Sequence, residues 1–387
     1  MERLKYKLSE ICNITMGQAP KGSSYNDVGE GYPLIAGAGD FGLNTPKPKK
    51  HTVKPTRLSV NDDLILCIRA TIGDLNWSDN QYCLGRGVAG LRPIPNKLDK
   101  NYLWHFLQSY KEELQKKGTG STFKQISRSH IEEIEVPLPS LEEQKRIAAI
   151  LDKADAVRRK RQQAIELSEQ LLRSVFLDMF GDPVTNSKGW KQVSFNSVGT
   201  LERGKSKHRP RNDPILLGGA YPLIQTGDVA NSKGYITNYC NTYSEIGLKQ
   251  SKIWPIGTLC ITIAANIAKT AILEIEACFP DSIVGFQSNG LVTIEYVQHW
   301  LGFLQKIIED SAPESAQKNI NLEILRTLKI PLPDIEAQKK FSDIVKRINK
   351  QKKLYFSFEK STNELFSSLA QKAFNGELSK RFENELA

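Results

Sequence analysis

The chain contains one stretch of sequence twice, and this repeat limits its possible folds more than any other feature. V-P-L-P at 136–139 returns as I-P-L-P at 330–333, which is 194 residues later. E-E-Q-K-R at 142–146 returns as E-A-Q-K-K at 336–340 with the same spacing. Solenoid proteins repeat every ~20–45 residues, so a repeat of this length indicates two copies of a whole domain. The chain of 387 residues therefore consists of two related halves.

Both halves have the same predicted layout. Each begins with short apolar runs, such as 63–68 and 257–263, which are bounded by Gly, Pro, Asn and Asp. Such runs are typical of strands separated by turns. A short helix is expected at roughly 99–116 and again at 293–309, followed by a Pro-x-Pro stop and a long helical segment. The predicted fold class is α+β, with two β-rich globular domains separated by two long helices in an internal pseudo-two-fold repeat.

The beginnings of both long helices carry sequence signals. Ser140 stands three residues before Glu143, which is a capping-box pattern, and no Gly or Pro follows until after Phe180. Asp334 occupies the equivalent position before the second helix and is a suitable N-cap. At 1.5 Å per residue, ~35 helical residues span roughly 50 Å. Helices of this length predict a rigid spacer between two domains.

Apolar residues recur in both helices at alternating spacings of three and four. The two registers match position by position across the repeat, over about four heptads. We therefore predict that the helices pair as an antiparallel coiled coil. The predicted seam consists of Ile147, Ile150, Val157, Leu171, Phe341, Ile344, Ile348, Tyr355, Phe358 and Leu365. The alternative is that each amphipathic helix packs only on its own domain.

Composition narrows the class of protein. The formal net charge of +10 suggests a polyanionic partner without proving one. Hydrophobic residues make up 40% of the chain, which argues against disorder. We expect no signal peptide and find no stretch approaching 18 apolar residues, so the expected location is cytoplasmic. The six cysteines form no C-x-x-C pair, so neither a metal site nor a disulfide framework is expected.

The repeated unit is a β-rich domain that ends in I-P-L-P and leads into a helix beginning L-x-E-Q-x-x-I. This arrangement closely resembles the specificity subunit of type I DNA restriction–modification enzymes, and the matching segments are 136–147 and 330–341. T-I-G at 71–73 and G-T-G-S-T-F-K-Q-I at 118–126 are similar to a turn and a loop of that family. The second half has N-I-A in place of T-I-G and a looser version of the loop at 312–320.

The resemblance implies that each β-rich domain is a target-recognition domain for one half of a divided, asymmetric DNA site. Domain 1 would cover 1–140, the first spacer helix 141–180, domain 2 181–333, and the second spacer helix with its C-terminal tail 334–387. The helices would hold two methyltransferase subunits and, through them, restriction and translocase subunits. Adenine-N6 methylation and ATP-driven cleavage would belong to those partners, together with S-adenosylmethionine, ATP and Mg. The chain itself would bind no cofactor and would not be an enzyme.

Candidate DNA contacts are cations and amides in the loops of the two β-rich domains. Five cations lie within nine residues at 203–211, which suits phosphate contacts, although a solvated basic loop is the alternative. Arg69 and Arg86 flank the T-I-G turn and suit guanine, yet either could instead form a buried ion pair. Gln and Asn side chains suit adenine. The full set is Lys47, Lys49, Lys50, Arg69, Arg86, Arg203, Lys205, Lys207, Arg209, Arg211, Gln225, Asn266 and Gln287.

The motifs that suggest catalysis lack the context that catalysis needs. G-T-L-E-R-G-K-S at 199–206 matches the P-loop pattern, but Pro210 and Pro214 leave no place for the helix that a P-loop requires. His105 and His299 recur 194 residues apart, and we expect core or capping roles for both. No metal-ligand set and no methyltransferase motif of the N-P-P-Y type is present. The alternatives are a stand-alone DNA-binding regulator and, less favoured, a self-contained methyltransferase or nuclease.

Overall fold

The computed structural model describes residues 4–120, 124–264, 267–310 and 321–377. Contacts divide the chain into two compact units. Unit 1 comprises Met1–Gln162 with Phe356–Ala387, and unit 2 comprises Gln163–Tyr355. Both boundaries fall inside long helices, whereas the boundaries predicted from the sequence lie at helix ends. They differ because residues of both helices pack into the cores of the units.

Unit 1 contains two four-stranded sheets and a two-stranded ribbon, with helices packed on them. Its strands are β1 (Lys5–Lys7), β2 (Cys12–Met16), β3 (Tyr25–Asn26), β4 (Tyr32–Ile35), β5 (Lys50–Thr52), β6 (Leu64–Cys67), β7 (Leu75–Trp77), β8 (Cys83–Leu84), β9 (Val88–Pro93) and β10 (Glu135–Pro137). Its helices are α1 (Leu8–Ile11), α2 (Lys100–Ser109), α3 (Lys111–Lys116), α4 (Arg128–Glu132), the first part of α5 (Leu141–Phe180) and the last part of α10 (Ile335–Phe374). The strand orders are β2-β9-β6-β7 and β3-β5-β4-β8, and the ribbon pairs β1 with β10.

Unit 2 repeats this plan with one additional strand. Its strands are β11 (Gln192–Ser194), β12 (Gly199–Arg203), β13 (Leu217–Leu223), β14 (Tyr235–Ile236), β15 (Asn241–Tyr243), β16 (Ile253–Trp254), β17 (Leu259–Thr262), β18 (Thr270–Leu273), β19 (Ala277–Cys278), β20 (Ile283–Ser288) and β21 (Lys329–Pro331). Its helices are the last part of α5, α6 (Thr226–Asn231), α7 (Glu245–Lys249), α8 (Ile294–Asp310), α9 (Leu322–Thr327) and the first part of α10. The strand orders are β12-β20-β17-β18-β14 and β15-β13-β19-β16, and the ribbon pairs β11 with β21.

The two ribbons show the repeat most directly. Lys5 faces Pro137 in the first, and Gln192 faces Pro331 in the second, so both I-P-L-P signatures supply the closing strand of their unit. The short helix expected at 99–116 corresponds to α2 and α3, and the one expected at 293–309 corresponds to α8. The predicted α+β class and the internal repeat are therefore confirmed.

Segments of α5 and α10 lie antiparallel within each unit. In unit 1, the Arg158 guanidinium lies 5.0 Å from the centre of the Phe366 ring, and Arg161 donates a hydrogen bond to the Thr362 hydroxyl. Residue numbers therefore increase along α5 in the direction in which they decrease along α10. In unit 2, the Lys352 ammonium donates to a Glu169 carboxylate oxygen at 2.9 Å. A second contact there joins Phe176 to Phe341, whose ring centres are 5.5 Å apart.

The predicted seam of these helices is wrong at three positions. Val157 is 46% exposed, Leu171 52% and Leu365 58%. Ile147 and Phe341 are buried, as predicted, and the others described are partly buried: Ile150, Ile344, Ile348 and Tyr355. The side chain of Phe358 lies outside the described residues. The prediction assumed a strict 3.5-residue repeat, from which a straight helix departs by roughly 20° per heptad. The buried face instead follows the cores of the two units, through Leu151, Leu172 and Phe176.

A buried glutamine attaches the first long helix to unit 1. Gln144 is 1% exposed and accepts a hydrogen bond from the backbone N–H of Asp99 at 2.8 Å. Its amide donates to the carbonyl oxygens of Lys97 and Pro139, both at 3.0 Å. Since buried polar groups need partners, this one side chain satisfies three backbone groups around the start of α5.

Gln338 does the same in unit 2. It is fully buried, accepts from the N–H of Thr293 at 3.0 Å and donates to Leu291 and Pro333 at 3.3 and 2.9 Å. The Gln of the repeated E-x-Q segment therefore has the same structural role twice. The sequence showed the repetition of this residue but not its hydrogen bonds.

The remaining expectations about the fold concern thiols, metals and membranes. None of the six cysteines forms a disulfide, and burial raises the pKa of the Cys12 thiol to about 12. In the described part of the chain, no group of three or more His, Cys, Asp or Glu side chains is arranged to hold a metal ion. Among the described helices, none combines the length and the apolar character needed to cross a membrane.

Candidate nucleic-acid interface

Unit 1 has an open cleft of about 640 Å³ into which Arg69 and Arg86 both project. The rest of its lining is mostly small residues and backbone, from 36–39, 70–71 and 85–87. Both arginines are exposed. The structure thus brings together the two arginines that the sequence placed on either side of the T-I-G turn.

Backbone hydrogen bonds hold the turn that carries Arg86. The N–H of Gly85 donates to the carbonyl of Ile35 at 2.8 Å, and the N–H of Gly87 donates to Ala36 at 3.1 Å. A Cβ atom at position 87 would lie 2.2 Å from the Ala36 oxygen, so only glycine permits this close approach. Arg86 therefore projects from a rigid backbone. Its side chain forms no hydrogen bond or salt bridge with any described residue.

Arg69 is held by the loop that resembles the family's G-T-G-S-T-F-K-Q-I segment. Arg69 and Gln125 form an isolated antiparallel bridge, and the N–H of Ala70 donates to Lys124 at 2.9 Å. Residues 121–123 of that loop lie outside the described residues, as does the equivalent loop at 312–320. Arg69 also takes part in a further interaction, so it is not a free residue.

The carboxylate in the cleft of unit 1 is already paired. Asp74 accepts a salt bridge from Lys111 at 2.5 Å, so it does not neutralise the two arginines. Lys47, Lys49 and Lys50 are exposed next to or at the start of β5. Their ammonium groups make no hydrogen bond or salt bridge within the described ranges. Unit 1 therefore presents cations that remain available to an anionic partner.

In unit 2, the basic loop at 203–211 is folded against its neighbours. The side-chain oxygen of Gln250 accepts from the N–H groups of Lys207 and His208 at 2.6 and 2.9 Å. The His208 ring also bonds Asp213 at 2.9 Å. The loop thus has a defined conformation.

Two of the five cations of this loop are engaged within the protein. Arg209 and Arg211 both form salt bridges with Asp281. Arg209 also donates to the carbonyl oxygens of Ser206 and His208, at 2.7 and 2.8 Å. Asp281 therefore engages two of the five cations, which distinguishes Arg209 and Arg211 from the other three.

The other three cations, Arg203, Lys205 and Lys207, are exposed. Among the residues that the structure describes, none pairs with their side chains through a hydrogen bond or salt bridge. The P-loop-like segment lies in the same region, where Gly199–Arg203 forms β12 and the next helical residues are a single 3-10 turn at Pro214–Leu216. The helix that a nucleotide site would require does not follow.

The three amides proposed for adenine lie in different settings. Gln225 is exposed at the N-cap position of α6. Gln287 is partly buried in β20, opposite Thr200 of β12. Asn266 lies outside the described residues. No described contact joins Gln225 to Gln287, so the structure does not assemble these amides into one site.

Both repeated histidines are structural. His105 is 2% exposed and its Nε2 lies 2.8 Å from a carboxylate oxygen of Asp152. The Nδ1 of His299 lies 2.8 Å from the carbonyl of Glu295, and its ring packs edge-on against Phe341. Burial lowers the pKa of His299, which favours the neutral ring. These contacts agree with the expected core roles.

Asp281 is the functional candidate that the sequence analysis missed. C-L-G-R-G-V at 83–88 leads from β8 into β9, and C-F-P-D-S-I at 278–283 leads from β19 into β20. Asp281 therefore takes the place that Arg86 has in unit 1. The two segments have few identical residues, so the sequence repeat alone does not align Asp281 with Arg86. The equivalent strands on either side of each segment make the correspondence clear.

Comparison with known protein families gives a match in each half of the chain. The family model described as the type I restriction modification DNA specificity domain matches residues 2–167 and, a second time, residues 187–355. The two matches together extend over most of the chain. Each contains one of the two β-rich regions and most of the helix segment that follows it.

Individual relatives carry related names. A Methanocaldococcus jannaschii protein, provisionally named the type I restriction enzyme MjaX specificity subunit, is 36% identical over 167 residues, which are 42% of this chain and 39% of that protein. The chain thus matches well under half the length of that relative. The type I restriction enzyme EcoBI specificity subunit of Escherichia coli is 24% identical over 437 aligned positions, covering 99% of this chain and 87% of that protein.

A solved structure shares the fold. The crystal structure of the type I restriction–modification S subunit from M. genitalium superimposes with a TM-score of 0.62 over 96% of each chain. Sequence identity in that comparison is 17%, so the likeness concerns the fold alone.

Proposed function

The chain belongs to the type I restriction modification DNA specificity family, and on this premise we propose that it is the sequence-specific DNA-binding subunit of a type I restriction–modification complex. It has no catalytic activity of its own. The observation that carries the proposal is that the DNA specificity domain occurs twice, once in each half. The two copies differ in their exposed cations, so they recognise two different half-sites of one divided, asymmetric target.

The partners and cofactors follow from the same assignment. The long helices hold two methyltransferase subunits, and restriction subunits join through them. Adenine-N6 methylation uses S-adenosylmethionine on the methyltransferase subunits, while ATP and Mg serve the restriction subunits. This chain binds double-stranded DNA in the cytoplasm and contributes recognition and assembly.

The methylation pattern of DNA tests this proposal. The chain is produced together with its methyltransferase subunits in cells that lack adenine methylation, and long-read sequencing then locates the modified adenines. We expect one divided motif, with two defined parts separated by unspecified bases. An undivided motif, or no modified adenine, would contradict the proposal.

The three unpaired cations of the 203–211 loop lead to a first prediction. Replacing Arg203, Lys205 and Lys207 by alanine is expected to weaken DNA binding by the assembled complex about equally for every DNA sequence. Each lost phosphate contact lowers the slope of log affinity against log salt by ~0.9. The test is to measure the DNA affinity of the complex at salt concentrations from about 50 to 200 mM and to determine the slope.

The matched control keeps the charge. In the double variant Lys205→Arg and Lys207→Arg, both side chains remain cationic, so the salt slope should stay at its original value. An alanine triple variant with the original slope would exclude this loop from contact with phosphates. Arg209 and Arg211 stay unchanged in both variants, because their salt bridges to Asp281 hold the loop in place.

A further inference from the structure

One turn carries opposite charges in the two units. The segment between β8 and β9 presents Arg86, whereas the equivalent segment between β19 and β20 presents Asp281. Two domains that recognise different half-sites need different chemistry at equivalent positions. This turn is therefore a place where the two recognition surfaces diverge.

The two turns share one backbone hydrogen bond. In unit 1 the N–H of Val88 donates to the carbonyl of Gly85 at 3.3 Å, and in unit 2 the N–H of Ile283 donates to Pro280 at 3.0 Å. The following strands, β9 and β20, pair with β6 and β17 as the equivalent central strands of their sheets. The turns therefore occupy equivalent places in their units, although Pro280 and Ser282 of unit 2 stand where unit 1 has Gly85 and Gly87.

We propose that Arg86 recognises a guanine in the half-site that unit 1 contacts, and this rests on the proposed DNA-binding function. Guanine presents its O6 and N7 atoms side by side in the major groove, and the arginine fork donates to both at once. Contacts of this kind specify a base, whereas contacts with phosphate only position the protein.

The setting of Arg86 suits this role. Its side chain is exposed and has no partner among the described residues, so the guanidinium does not have to leave an internal salt bridge before it contacts DNA. Its backbone is fixed between Gly85 and Gly87, which limits the conformational freedom that binding would have to remove. The small residues of the cleft, such as Gly37 and Ala38, leave room for a base edge.

The charge of the cleft favours a hydrogen-bond acceptor. Among its described lining residues, Asp74 is the one carboxylate, and Lys111 neutralises it. This carboxylate therefore does not cancel the charge of Arg86. A guanine edge and a phosphate would both be attracted, and the two variants described below distinguish between them.

In unit 2, guanidinium groups reach the equivalent turn from a neighbouring loop. Asp281 holds Arg209 and Arg211, so the guanidinium groups at this place come from the 203–211 loop instead of the turn itself. The turn of unit 2 thus displays a carboxylate where the turn of unit 1 displays a guanidinium. The two half-sites are therefore expected to differ at the position that these turns contact.

The test uses the complex with its methyltransferase subunits and compares wild type with Arg86→Gln and Arg86→Lys. Binding is measured on a set of DNA duplexes in which every base pair of both half-sites is varied singly. We expect both variants to lose roughly 5- to 150-fold of discrimination at one G·C pair of one half-site. Arg86→Lys retains the charge but not the fork, so its salt slope should equal that of wild type.

The other outcomes separate this inference from the proposed function. Unchanged base preferences in both variants, or a half-site without the affected G·C pair, would overturn the role of Arg86 while the divided motif of the wild type remains. A uniform loss in Arg86→Gln that Arg86→Lys restores would identify a phosphate contact and also overturn it. Asp281→Asn is the matched control and should alter only the other half-site. A wild-type complex without any divided motif would refute the proposed function itself.

Discussion

Replacing Leu172 by alanine is expected to lower the free energy of unfolding by about 2–5 kcal/mol, whereas Leu171→Ala should change it by no more than about 0.5 kcal/mol. The two leucines are neighbours in α5 and lose the same atoms on substitution. Leu172 is 5% exposed and belongs to the core of unit 2, while Leu171 is 52% exposed. The difference therefore reports which face of the helix is buried.

The measurement must follow unit 2 separately, because a chain with two compact units does not have to unfold in one step. Urea denaturation monitored by circular dichroism gives the overall stability of the full chain. Hydrogen exchange of amides in β17 and β20 gives the local stability of the sheet that packs near Leu172. A larger loss in Leu171→Ala than in Leu172→Ala would restore the seam that the sequence predicted.

The helix bounds were predictable because they depend on local chemistry. A segment from 141 to 180 without Gly or Pro, preceded by Ser140, defines α5, and the structure has it at Leu141–Phe180. The hydroxyl of Ser140 accepts from the N–H of Glu143 at 3.4 Å, as the capping box predicts. Caps and helix breakers act within four residues of the chain, so the sequence shows them directly.

The seam was less predictable because burial depends on distant residues. Several neighbouring sets of positions on a 40-residue helix have spacings of three and four. The spacing alone therefore does not identify which set forms the buried face. Phe176 is buried because Tyr296 of α8 stacks on it at 5.5 Å, and Leu151 is buried in the core that also contains Tyr102. Those contacts were not visible in the helix sequence.

The candidate site shows the same limit. A cluster of cations can be counted in a sequence, but a salt bridge to a residue 70 positions away cannot. Arg209 and Arg211 were indistinguishable from Lys205 and Lys207 until Asp281 was located beside them. Arg86 is the reverse case. The sequence allowed a buried ion pair for this residue, whereas no described carboxylate forms a salt bridge with it.

Replacing Gln144 by methionine, which has a similar shape and no hydrogen-bonding groups, is expected to lower the free energy of unfolding by about 2–4 kcal/mol. The N–H of Asp99 and the carbonyl oxygens of Lys97 and Pro139 would each lose a partner. Leaving a buried polar group unpaired costs ~1–3 kcal/mol, and partial relaxation limits the total. The repeat predicts a loss of the same size for Gln338→Met, which acts on Thr293, Leu291 and Pro333.

Hydrogen exchange of two backbone amides distinguishes this effect from general loosening. The N–H groups of Asp99 and Thr293 donate directly to the two glutamines, so each should exchange faster only in the variant that removes its own acceptor. Gln163→Met, at an exposed position of α5, is the control and should leave both amides and the overall stability unchanged. Unchanged exchange at both sites, or equal acceleration at both in a single variant, would show that the glutamines are not local anchors.

The double variant tests whether the duplication is functional as well as structural. Gln144 and Gln338 belong to different units and share no described partner, so their effects on stability should add within ~0.5 kcal/mol. In the assembled complex, each single variant should weaken recognition mainly of the half-site contacted by its own unit, because that unit loses its fixed attachment to the helices. A single variant that impairs both half-sites equally would instead mean that the glutamines stabilise the chain as a whole.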